Sequence, residues 1–287
     1  MRHILLAIDS GAPSWEATRL AVHLAPKLKA PVTVLSLLVP GPQQRGAKDQ
    51  RGREHESVRE LVDDVVKELV EAGVKAKGEV RSCNPNKVAG EILGSATRLD
   101  ADLIVMGSRA RGELTGFLLG SVSHEVAMGA SCPVVIVPTG AMTKATPRRI
   151  VLVIDGEGDP GQSVAATVGL ARALQAAAEV VCVGRTFVYS AESANKPSTA
   201  ANPDEEAVAR AVAALKEAGV EVRSRMIDNQ RGFAPEIARE VMATGADMIV
   251  IGSRALGWVG GDVTAGAAEA VIHRTRRPVV VAPSRRR

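Results

Sequence analysis

Aromatic residues are scarce in this chain: two Trp, one Tyr and three Phe make up 2% of 287 residues. Proteins that hold single-stranded nucleic acid by stacking need aromatic platforms, so no nucleic-acid partner is expected. Cysteine is scarce too. Cys83, Cys132 and Cys182 are scattered without C-x-x-C spacing, which excludes a disulfide framework and fits a reducing compartment. The five histidines, His3, His23, His55, His124 and His273, show no metal-ligand spacing with Cys, Asp or Glu. Long apolar runs are missing, since none approaches the ~18 residues that span a bilayer. The opening MRHILLAID turns polar at Asp9, too soon for the apolar stretch of a secretion signal. A cytoplasmic protein without a membrane partner is expected. Neither sign of charge dominates. The net charge is +4, and part of it sits in the tail SRRR, which reads as a solvated chain end.

What remains is a chain 46% hydrophobic, built on Val, Ile, Leu and Ala. That composition suits a parallel sheet buried under helices. The chain is also written twice. ADLIVMGSRARG at 101–112 recurs as ADMIVIGSRALG at 246–257, RHILLAIDSG at 2–11 is answered by RRIVLVIDGE at 148–157, and CPVVIVPTG at 132–140 by RPVVVAPSR at 277–285. Repeats in the same order define two tandem domains, 1–140 and 148–287, joined by the small, polar, Pro-containing stretch TGAMTKATPR at 139–148.

Within the first copy, strand candidates lie at 3–8, 32–38, 76–81, 102–106 and 134–137. Helical patterns at 14–29, 54–71, 85–98 and 121–129 alternate with them. Ser14 is a candidate N-cap, and Asn84 followed by Pro85 is another. Strands of the second copy are expected at 150–154, 180–184, 222–226, 248–251 and 279–282. Such alternation gives right-handed parallel βαβ units. Two polar stretches, 40–56 and 190–206, read as long loops after each second strand.

One stretch carries chemistry. MGSRARGELTGFLLGSVSHEV, 106–126, places glycines at 107, 112, 116 and 120 behind a strand. In an open parallel sheet, ligands bind beyond the carboxyl ends of the strands, where the strand order reverses. If the first and fourth strands are neighbours, Asp9 and Gly107 face each other across that crevice. Gly120 and Ser121 would then open a helix whose free amides and partial positive charge favour phosphate. The N–H groups of Ser121 and Val122 and the Ser121 hydroxyl would bind phosphate oxygens, with Arg109 and Arg111 neutralising the remainder. The competing reading makes the loop a tight connection and Ser121 a simple N-cap. The stretch is neither the P-loop pattern nor G-x-G-x-x-G.

The opening strand ending in Asp9, the run DLIVMGS, the glycine-rich loop, LLGSVSHEV and CPVVIVP together resemble a universal stress protein domain, and the whole chain resembles a tandem universal stress protein. The resemblance implies two tandem doubly wound parallel five-stranded sheets of the adenine-nucleotide α-hydrolase-like kind, related by a pseudo-twofold. Nucleotide-binding members of the family carry Gly, two residues, Gly, nine residues, then Gly-Ser or Gly-Thr. This chain supplies Gly107 and Gly120-Ser121 at matching distances, with Ala110 in place of the second Gly. By that resemblance Asp9 contacts the ribose or adenine side of ATP. Leu37 packs near the base. Gly107, Gly120, Ser121 and Val122 hold ribose and phosphates, with or without Mg²⁺.

Aligned without gaps, Gly120, Ser121 and Val122 fall on Ala265, Gly266 and Ala267 in the second copy, so the Gly-Ser step is lost there. Asp155 still follows the opening strand, while Trp258 fills the loop differently. The second domain is expected to lack ATP. Catalytic sets are thin. No G-x-S-x-G elbow occurs, and Asp9 and Glu113 are the only acids near the first cleft, so at most slow ATP hydrolysis is expected. In the family the last strands pair. Val134–Val137 is therefore expected to pair with Val279–Ala282, imitating a dimer, with a homodimer of chains as a further step. Two functions stay open: an ATP-holding stress-response sensor or regulator, and a nucleotide-free interaction scaffold.

Overall fold

A computed structural model of the chain describes residues 1–39, 48–108, 120–141, 146–154, 160–184, 203–228, 233–253, 271–272 and 274–283. The first half contains β1 (Ile4–Ile8), α1 (Ala12–Leu28), β2 (Val32–Leu38), α2 (Lys48–Glu71), β3 (Ala76–Ser82), α3 (Val88–Arg98), β4 (Leu103–Ser108), α4 (Ser121–Gly129) and β5 (Val134–Pro138). The second contains β6 (Arg149–Ile154), α5 (Gly161–Leu174), β7 (Ala177–Gly184), α6 (Pro203–Glu217), β8 (Val222–Asp228), α7 (Phe233–Thr244), β9 (Met248–Gly252) and β10 (Val279–Ala282). One sheet of ten strands runs β3-β2-β1-β4-β5-β10-β9-β6-β7-β8. Among the described strands each half is parallel and the direction changes only at the centre, where β5 and β10 run antiparallel with Val135 opposite Val280. The order reads alike from both ends, which is a pseudo-twofold through that seam.

The inner strands are apolar on both faces because helices cover both, whereas the edge strands β3 and β8 carry charged residues. Ile4, Leu6 and Ile8 face the layer of α1, α2, α5 and α6, together with Leu20, Leu24, Leu69, Leu170 and Leu215. Leu5 and Ala7 face α3, α4 and α7, with Ile92, Val126, Ile237 and Val241. Leu20 and Leu24 are almost completely buried; each contributes roughly 2 kcal/mol over an exposed position. Both layers cross the seam without interruption.

Several boundaries differ from the sequence expectation. Helix α2 begins at Lys48, so the carboxyl part of the expected 40–56 loop is helical, and α6 likewise takes over 203–206. Ser14 does not cap α1. Gly11 is its N-cap, Pro13 sits in its first turn, and Ser14 lies inside the helix. Asn84 makes no side-chain cap; it leads a 3-10 turn, Pro85–Lys87, that precedes α3.

The aspartate of the repeated ADLIV and ADMIV motif has a structural task in both copies. Asp102 Oδ2 accepts the backbone N–H groups of Arg2 and His3, the latter at 3.3 Å. Asp247 Oδ2 accepts those of Arg148 and Arg149 at 2.9 and 3.1 Å. Each carboxylate thereby ties the amino end of its opening strand to the approach of the fourth strand, satisfying amides that no ladder reaches.

Candidate functional site

In the first half β1 pairs with β2 on one side and β4 on the other. The chain leaves β1 through α1 toward β2, and returns from β3 through α3 to β4 on the opposite face. The order therefore reverses between β1 and β4. Asp9 follows the last residue of β1, and Gly107 lies next to the end of β4. Both stand at the carboxyl ends of neighbouring strands, as the crevice argument requires.

Asp9 is half-buried and tied into the start of α1. Its Oδ1 accepts the Ser14 hydroxyl at 2.7 Å and the Gly11 N–H at 2.9 Å, while the Asp9 N–H donates to Ser14 Oγ at 2.9 Å. Asp9 and Ser14 thus close a ring that sets how α1 leaves the sheet. Ser14 was missed as a site residue because capping chemistry explained it locally; its real partner is five residues upstream.

Gly107 is explained by protein. A Cβ there would meet Pro13 backbone carbon at 2.5 Å and Pro13 oxygen at 2.6 Å, so β4 and the first turn of α1 touch backbone to backbone. Leu37 is half-buried one residue before the end of β2 and packs against the α3–α4 layer. Val39, just beyond, is exposed.

Gly120, Ser121 and Val122 fall together at the start of α4. Gly120 is the N-cap, with φ −53° and ψ 138° and no side-chain cap, and Ser121 is the first helical residue. Ser121 is therefore not the cap that the simple-connection reading requires. Its side chain is exposed and that of Val122 half-buried. Backbone conformation gives no reason for a glycine at position 120, since any residue adopts these angles. Below, Ser108 Oγ and Ser123 Oγ are 3.1 Å apart, and Ser123 donates to the Gly120 carbonyl at 2.9 Å. These two serines, unnoticed in the sequence, fix the start of α4 over the end of β4. His124, half-buried, begins the regular helical bonding by donating its N–H to Gly120 at 3.1 Å. Arg109, Ala110, Arg111 and Glu113 lie outside the described residues, as do Asp155, Trp258, Ala265, Gly266 and Ala267.

The second half differs at the matching corner. Helices α1 and α5 both end on a left-handed residue, Lys29 and Gln175. Counted back from these, Ser14 corresponds to Pro160, the N-cap of α5, which carries no hydroxyl. Gly252 has ordinary room, with its nearest neighbour, Ser163 Oγ, at 3.5 Å. A cavity of about 380 Å³ in this half lies at the opposite, amino ends of its strands, lined by Arg149, Glu179, Arg223 and Arg225. In its lining Arg225 sits 3.1 Å from Glu240 and 3.7 Å from Glu179, and Arg149 donates to the Thr244 carbonyl.

Among the described residues no group of three or more His, Cys, Asp or Glu is placed to hold a metal, and no helix is long and apolar enough to cross a membrane. None of Cys83, Cys132 and Cys182 is in a disulfide, and burial pushes the thiol of Cys132 up to about 11.

Fold and cleft together define a tandem doubly wound α/β protein. The model of the universal stress protein family matches residues 1–138 and again 146–283. The chain belongs to the universal stress protein family. It is 25% identical to universal stress protein Rv2623 of Mycobacterium tuberculosis, over 97% of this chain and 95% of that protein. It is also 31% identical to universal stress protein YxiE of Bacillus subtilis, over 47% of this chain and 97% of that protein. The match to universal stress protein Rv2005c of Mycobacterium tuberculosis, at 27% identity, spans 62% of that relative's length. In fold, the chain is similar to a universal stress protein from Archaeoglobus fulgidus with a TM-score of 0.75, at 19% identity, covering 98% of this chain and 96% of that one.

Proposed function

We propose that the first domain, 1–140, holds ATP, and that the chain is a nucleotide-dependent stress-response sensor or regulator with little or no turnover. One observation carries this reading. Asp9 and the start of α4, whose N-cap Gly120 has no side chain to cap it, stand at the carboxyl ends of adjacent strands where the order reverses. The first amides of a helix lack intrahelical partners and carry the positive end of its dipole, so a phosphate is a fitting acceptor. Asp9 Oδ1 accepts from Ser14 and Gly11, and on this reading the carboxylate also meets a ribose hydroxyl or adenine amine. Mg²⁺ finds no pair of carboxylates in the described part of the cleft, so water and the nucleotide's own phosphates would supply its ligands. Low turnover fits the same scarcity of acids.

A nucleotide-free scaffold is the second reading. It is favoured by Gly107 and Asp9, two motif residues whose identities protein contacts already explain. Releasing bound nucleotide by denaturing freshly purified protein, followed by calorimetry with ATP, separates the two. On the ATP reading, Gly120→Ala and Ser121→Ala each weaken binding about tenfold or more, equivalent to ~1.4 kcal/mol. Ala265→Gly in the second domain, 148–287, leaves it unchanged. The φ and ψ of Gly120 suit alanine, and a thermal melt of Gly120→Ala separates crowding of a ligand from a disturbed loop. No released nucleotide and no micromolar binding would leave the scaffold. The β5–β10 ladder supports a built-in dimer within one chain, with further homodimerisation measured by sedimentation.

A further inference from the structure

The start of α1 reaches a third structure besides β1 and β4. Glu16 is 9% exposed, and its carboxylate accepts two backbone N–H groups from the segment between the domains: Gly140 to Oε1 at 2.9 Å and Ala141 to Oε2 at 3.3 Å, the Ala141 N–H being shared with the Pro138 carbonyl at 3.1 Å. Gly140 has φ +74°, a conformation that suits glycine, and Ala141 is buried against the α1 layer. A charged carboxylate buried this deeply is costly unless its oxygens are bonded, and here both bonds go to the first residues after β5. The position is specific to the first copy. Counted back from the matched left-handed caps, Glu16 corresponds to Gln162 in α5.

Within one and a half turns, α1 thus holds Ser14 on Asp9, Pro13 on Gly107 and Glu16 on the inter-domain segment. Thr18, buried, donates to the Ser14 carbonyl at 2.9 Å and stiffens the same turn. We propose that Glu16 couples the first-domain cleft to the inter-domain connection: what happens at Asp9 and Gly107 is passed through the first turns of α1 to Gly140 and Ala141. A ligand that braces Asp9 stabilises this turn and tightens the connection; an empty cleft loosens it. This regulation rests on the reading of the cleft as a nucleotide site, whereas the mechanical link does not.

Amide hydrogen exchange of Gly140 and Ala141 in the full chain tests both parts. Without ligand, Glu16→Gln, which keeps the shape and one acceptor oxygen, accelerates exchange of the two amides about tenfold. Ser14→Ala, which touches neither amide, accelerates it about threefold, and the double variant is no faster than Glu16→Gln alone. Effects that simply multiply, or no effect of Ser14→Ala, would overturn the link. Saturating ATP, verified by calorimetry, slows both amides in the unsubstituted chain and not in Glu16→Gln. ATP that binds yet leaves these amides unchanged overturns the regulation and spares the nucleotide reading. ATP that fails to bind overturns the nucleotide reading and the regulation with it, while the ligand-free cycle still decides the link.

Discussion

Gly107 and Pro13 touch backbone to backbone: a methyl group on Gly107 would come within 2.5 Å of the Pro13 carbonyl carbon. Neither chain segment can yield easily, because β4 is paired on both sides and Pro13 starts a helix. Gly107→Ala should therefore destabilise the chain by about 2 kcal/mol, in the range of overpacked cores. Gly252→Ala, at the equivalent place in the second copy, should cost under about 0.5 kcal/mol. Parallel thermal melts of the two variants check this; equal shifts would show that the first corner is not unusually tight.

The paired aspartates give a prediction about the repeat. Asp102→Ala and Asp247→Ala should each cost roughly 1 kcal/mol, since each strands two strand-end amides. Neither residue lies at the carboxyl-end cleft, so ATP affinity should be unchanged in both. Denaturant midpoints and calorimetry provide the two readouts.

His3 sets a pH dependence. Burial lowers its pKa from 6.5, and the charge of Lys77 lowers it further, against the opposing pull of Asp102 and Glu79. Its Nε2 lies 2.8 Å from Thr33 Oγ1. A histidine whose folded pKa is depressed binds its proton more readily when unfolded. Its contribution is complete above 6.5 and is lost as pH falls from there through the folded value. Between pH 7.5 and 5, stability should fall more steeply in the unsubstituted chain than in His3→Gln. Urea titrations across that window measure the difference, and parallel curves would refute it.

The Cys132 thiol, raised to about 11 chiefly by burial and then by the charge of Asp102, should be nearly inert. Relative to a thiol of ordinary pKa, its thiolate population is lower by about a hundredfold, and alkylation should slow by at least that factor. Mass spectrometry after timed iodoacetamide treatment at pH 8, native against unfolded, reads the ratio.

Much of this protein was legible as text. Strands β2 and β10 and helix α4 begin and end where apolar periodicity and turn chemistry put them. The twofold writing of the chain announced two like domains, because repeated core patterns must fold into repeated elements. Gly120-Ser121 at a helix start was legible for the same local reason. Other roles were not. Ser14 looked like a cap, yet its hydroxyl serves Asp9; Gly107 looked like a ligand residue, yet it admits Pro13; Glu16 carried no signal at all, because its partners lie 124 and 125 residues away.

The sequence by itself determined the fold class, the duplication and the apolar strands, all of which follow from short-range periodicity and local backbone preference. The family resemblance anticipated the β5–β10 pairing; only the tertiary structure decided its antiparallel register, and that the Asp of the repeated motif binds amides at the opposite strand ends. It alone decided, too, that the start of α1 gathers Asp9, Gly107 and Gly140 into one corner. Those are contacts between segments far apart in the chain, and their partners are chosen by packing and by the need to satisfy buried polar groups.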